Sequence, residues 1–82
     1  MDNIDCRIAL IGIIVSDGEA VETVNAVLHD YAPYIVGRMG LPMRDRGVSA
    51  ITVVMDAPLN AVNALTGKLG KVDGVSAKAL FR

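Results

Sequence analysis

Apart from Arg7, apolar residues run nearly continuously from Cys6 to Val15, with Gly12 as the one glycine in the run. A run this short, bounded by turn residues, predicts a strand buried on both faces. Ser16-Asp17-Gly18-Glu19 ends it and reads as a capping box, with Ser16 capping the next helix and Glu19 reaching back. Val21, Val24, Leu28 and Tyr31 then recur at helical spacing, which predicts a helix to about Asp30. Glu22, Asn25 and His29 fall on its polar side, and Pro33 closes it by pushing Ala32 into an extended conformation.

The next stretch, Tyr34 to Pro42, has the alternation of a strand but carries residues a strand does not choose for stability. Gly37 and Gly40 forgo side-chain packing and cost backbone entropy, so glycine here marks a bulge or a close approach by another group. Arg38 lies between them with a five-donor fork, and Pro42 removes a ladder donor, which suits an edge strand. A twisted edge with an exposed arginine explains the same residues as well as a docked partner or ligand does.

Met43 to Gly47 is a charged hairpin tip, and Val48 to Met55 is a second nearly continuous apolar strand, which places it centrally. Asp56-Ala57-Pro58 starts a second helix, with Pro58 in its first turn and Val62, Leu65 and Leu69 as its buried stripe. Gly70 is the expected left-handed stop, Val72-Asp73-Gly74 a turn, and Val75 to Phe81 the last strand.

Strand, helix, strand, strand, helix, strand is the split βαβ order. It predicts an α+β, ferredoxin-like βαββαβ sandwich: a four-stranded antiparallel sheet with two helices on one face. On the two inner strands Ile11, Ile13 and Val54 are expected on one face, and Leu10, Ile14, Ile51 and Val53 on the other. Both faces are then apolar and only one has helices to cover it. A homo-oligomer, dimer or tetramer, packed sheet on sheet or edge on edge, is the natural outcome.

Composition sharpens this. The 82 residues make one domain, residues 1–82, marginal as a monomer because so small a chain buries only about 60% of its unfolded surface. Yet 52% of it is hydrophobic, more than such a core hides. A formal net charge of −1 lacks the basic footprint of direct nucleic-acid binding. The acidic start Met1-Asp2-Asn3-Ile4-Asp5 does not read as a leader, and Ile8–Val15 is too short to span a membrane, so a soluble cytoplasmic protein is expected.

Candidate chemistry is sparse. The single Cys6 reads as a small core residue, and one cysteine with one histidine leaves no metal site and no intrachain disulfide. His29 could polarise a ligand, although a helix C-terminus favours histidine without any such role. Thr66-Gly67-Lys68-Leu69-Gly70-Lys71 imitates a phosphate loop, but Val62 stands where a glycine is required and Leu69 where Ser or Thr is required. The sequence also falls at a helix C-terminus, whose dipole repels phosphate and favours the two lysines. No carboxylate pair is spaced for hydrolysis. Acylphosphatase, a small enzyme of this topology, needs arginine in the loop after the first strand, where this chain has acidic Ser16-Asp17-Gly18-Glu19. No catalytic residues are assigned, and the chain reads as a non-enzyme.

Leu28-His29-Asp30-Tyr31, Ile35-Val36-Gly37-Arg38-Met39-Gly40-Leu41-Pro42, Ala64 to Lys71 and Gly74-Val75 together resemble the proposed regulators of the iron-only hydrogenase system. The likeness spans about Cys6 to Leu80 in order and spacing, with Thr66 where the family has serine. It implies a domain close to ACT domains and to the effector domain of the nickel-responsive repressor, which oligomerise and bind small effectors or metal between subunits. The nickel site does not carry over, since square-planar nickel needs several His or Cys ligands and one of each per chain is too few unless subunits pool them. The repressor's DNA-binding segment is also missing from this chain. The resemblance defines no cofactor.

Two functions follow. One is an effector-sensing regulatory domain that binds a small molecule at a subunit interface through Arg38, with His29 or Lys68 as further anchors and Gly37 and Gly40 allowing close approach. The other is an interaction module without a small ligand, docking on a protein partner such as a hydrogenase maturation factor.

Overall fold

The computed structural model describes residues 5–82, so Met1 to Ile4 of the acidic start lie outside the described residues. Four strands form one antiparallel sheet: β1 (Cys6–Val15), β2 (Ile35–Met43), β3 (Val48–Pro58) and β4 (Val75–Phe81), in the order β2-β3-β1-β4. Two helices, α1 (Val21–Asp30) and α2 (Leu59–Gly70), pack on one face. This is the ferredoxin-like arrangement expected from the element order, with the two most apolar strands at its centre.

The core follows from strand pairing. Residues directly opposite on neighbouring strands project to the same side. Ile11 pairs with Val53 and Ile13 with Ile51, and these four meet Val24 and Leu28 of α1 and Val62, Leu65 and Leu69 of α2 in one buried cluster. Leu10 pairs instead with Val54 and turns away from the helices. The expected assignment of β3 was therefore off by one residue: Ile51 and Val53 belong with Ile11 and Ile13, and Val54 with Leu10 and Ile14. Both faces of β3 are apolar, so its composition carries no phase, and only the register with β1 supplies it.

Burial on both faces is also not what the single chain shows. Ala9, Ile11, Ile13 and Val15 are buried, whereas Ile8, Leu10 and Ile14 on the opposite face are exposed. Cys6, expected in the core, is exposed as well.

Segment ends differ from expectation for identifiable reasons. Ser16 does not cap α1. Its amide and hydroxyl both donate to the Gly74 carbonyl, at 2.7 and 3.1 Å, tying the end of β1 to the turn before β4. The cap is Asp17, whose carboxylate accepts from the Glu19 amide at 2.9 Å at the head of a 3-10 turn over Gly18–Ala20 that leads into α1. Asp56 and Ala57 do not start α2, because β3 continues beside β1 as far as Pro58, opposite Cys6. Gly70 is the last residue of α2 and is not left-handed; positive φ occurs at Gly47 (69°) and Gly74 (80°). Gly47 closes the β2–β3 hairpin after a 3-10 turn at Arg44–Arg46.

Gly74 is doubly constrained, since an added Cβ would stand 2.7 Å from the Asp17 Cβ. Gly74→Ala is expected to lose at least about 2 kcal/mol of stability in urea denaturation, from left-handed strain plus that clash. Gly70→Ala, in helical backbone with open space around it, is expected to gain about 0.5 kcal/mol.

Candidate functional site

The polar face of α1 lies above the edge strand β2. Within α1, Asn25 and His29 are four residues apart, so they stand one turn apart on the same side of the helix. On β2, Arg38 is opposite Val53 and Gly40 opposite Ile51, which turns both toward the helices. Arg38 Nη2 donates to Asn25 Oδ1 at 3.0 Å, joining strand to helix.

That bond divides a shallow groove into two compartments. The larger, about 350 Å³, has Arg38, Asn25 and His29 at its rim over an apolar floor of Leu28, Ala32 and Ile35. The smaller, about 220 Å³, continues along β2 past Gly40 to Pro42 and Ser49, where glycine leaves the floor low. No carboxylate lines either compartment among the described residues, so the guanidinium is held by a neutral amide and keeps most of its donors free. The arrangement offers fixed hydrogen-bond donors above an apolar surface, which suits binding a small polar molecule.

The residues singled out from the sequence separate in space. His29, Arg38 and Gly40 share the groove. Gly37 is opposite Val54 and so lies on the other face of β2, beside a register shift between Ile35 and Gly37. That shift is the bulge its glycine signalled. Lys68 is on α2 with its ammonium 5.1 Å from the ring centroid of Tyr31, a cation–π contact, and it lines neither compartment. The imitation phosphate loop is helical through Gly70, and the Thr66 hydroxyl donates back to the Val62 and Asn63 carbonyls. Asn25 is the group that sequence reasoning treated only as polar surface. Its i, i+4 relation to His29 was the available signal; its bond to Arg38 spans thirteen positions and was not.

Among the described residues no three His, Cys, Asp or Glu side chains gather as a metal site, and no helix is long and apolar enough to cross a membrane.

Comparison with known proteins gives a consistent picture. The profile of the TM1266-like family, proposed iron-only hydrogenase system regulators, matches residues 7–79. Among solved structures the chain is similar to the uncharacterized protein TM1266 from Thermotoga maritima, at 32% identity and a TM-score of 0.91, over 94% of this chain and 98% of that one. No curated protein matches significantly.

The Arg38–Asn25 bond is solvent-exposed, so it contributes little to folding. Arg38→Ala and Asn25→Ala are each expected to change unfolding free energy by less than about 0.5 kcal/mol in urea titration.

Proposed function

The chain belongs to the TM1266-like family of proposed iron-only hydrogenase system regulators, and on that premise we propose that it is a non-catalytic, effector-sensing domain that works as a homo-oligomer. The observation that carries the reading is the two-sided character of β2. Arg38 and Gly40 face the α1 groove, while Gly37, Met39 and Leu41 face the sheet surface opposite the helices. A small molecule seated against Arg38, Asn25 and His29 therefore presses on the same strand that a second subunit would cover from behind.

Regulation then needs only differential affinity. An effector that binds one assembly state more tightly shifts the population toward it, and association raises effector affinity by the same factor. Arg38 is the principal anchor because its fork presents several fixed donors; His29 is the secondary one. Lys68, held over Tyr31, supports the helix pair and stands apart from the groove.

Native mass spectrometry of protein purified without added ligand tests this. A dimer or tetramer carrying a retained small molecule is expected, with adduct occupancy lowered at least about 10-fold in Arg38→Ala, the loss of one charge-assisted contact of roughly 1.5–3 kcal/mol. A bare monomer would overturn the proposal. An oligomer with no adduct in either protein would favour instead a module that docks on a protein partner.

A further inference from the structure

The uncovered sheet face carries its own pattern of knobs and holes. Taking the rows across it from the strand registers, one row reads Gly37, Val54, Leu10, Leu80 on β2, β3, β1 and β4. The next reads Met39, Thr52, Gly12, Lys78. Flanking them along β1 are Ile8 on one side and Ile14 on the other. Of the ten large hydrophobic residues left exposed among the described residues, seven lie on this face: Ile8, Leu10, Ile14, Met39, Leu41, Met43 and Leu80, the last at 70% exposure.

Gly37 stands beside the β2 register shift, Gly12 has no such feature, and nothing inside the chain would collide with a side chain at either. Neither has positive φ, and a Cβ added at either meets nothing within 4 Å. Glycine in a strand interior nevertheless costs about 0.5–1 kcal/mol relative to alanine. Around Gly12 the missing side chain opens a shallow hollow bordered by Ile14, Ala50, Thr52, Ser76 and Lys78. Such a glycine marks a place where another surface comes close.

Resting on the homo-oligomer reading above, we infer that the occupant of this face is a second copy of the chain, related by a two-fold axis that runs across the strands between these two rows. That operation exchanges the rows while keeping each strand over its own counterpart. Leu10 of one copy then enters the Gly12 hollow of the other, and Met39 stands over the partner's Gly37, each contact made twice. Ile8 meets Ile14, Val54 meets Thr52, and the Lys78 stem lies along Leu80 with its ammonium reaching solvent. One symmetry operation gives Gly12 its reason and sets Met39 against the glycine of the β2 bulge, and the contact is isologous, as a closed dimer requires. Near-aligned stacking of twisted sheets is the packing this geometry produces. Four strands at about 4.8 Å spacing and about seven residues each at about 3.4 Å give a footprint on the order of 450 Å². Side-chain relief raises the accessible area above that, toward the roughly 800 Å² per partner of a stable interface.

The test is sedimentation equilibrium of wild type, Gly12→Leu, and the swap Leu10→Gly with Gly12→Leu, each checked for folding by circular dichroism. Wild type is expected to be dimeric or to contain this dimer, and Gly12→Leu to raise the dimer dissociation constant at least 10-fold by filling the hollow. The swap exchanges knob and hole on β1 and is expected to recover most of that loss. Unchanged association of Gly12→Leu would overturn the inference while leaving oligomerisation standing. Weakened association that the swap fails to recover would overturn the Leu10–Gly12 pairing. A monomeric wild type would overturn both this inference and the reading it rests on.

Discussion

The structure depends on the antiparallel pairing of β1 with β3. All ten residues of β1 have a partner on β3, from Cys6 opposite Pro58 to Val15 opposite Ser49, without a register shift. These are the two central strands, and each is apolar on both faces. A slip of one residue would exchange the entire inner and outer sets. Held in this register, Ile11, Ile13, Ile51 and Val53 close the core with the helices. The same register leaves Leu10, Ile14 and Val54 on the far side.

That division governs everything outside the core. Among the described residues both helices lie on one face of the four-stranded sheet, so the second apolar face is a consequence of this topology. The edge strand β2 then belongs to two environments at once. Its even-numbered residues Arg38 and Gly40 border the α1 groove, and its odd-numbered residues Gly37, Met39 and Leu41 continue the open face. Alternation along a strand is enough to put the groove and the open apolar face one peptide apart.

Membership of the TM1266-like family and the close structural likeness to TM1266 establish the fold and the family, and the family is proposed to be regulatory. Fold alone does not assign function. What the site adds is chemical: a guanidinium bound to an amide oxygen, an imidazole one helical turn away, and an apolar floor between them. Those groups suit recognition of a small polar molecule.

Much of the fold was legible in the chain because local patterns encode it. Period-two and continuous apolar runs marked the four strands, 3.6-residue spacing marked both helices, and the order of elements indicated the sandwich. Arg38 and Gly40 stood out because glycine and a forked cation are poor choices for a strand. The phase of β3 was not legible, since Ile51, Val53 and Val54 are interchangeable by composition and only pairing with β1 tells which of them face the helices. Nor was the Asn25–Arg38 contact, which joins a helix to a strand across an intervening loop. Ser16 was misread as a cap because the Gly74 carbonyl, 58 positions away, competes for it more effectively than the adjacent helix does. The sequence by itself determined the elements and the surplus of apolar surface. Tertiary structure alone decided which residues share a face, because register and helix placement are properties of contacts between distant segments.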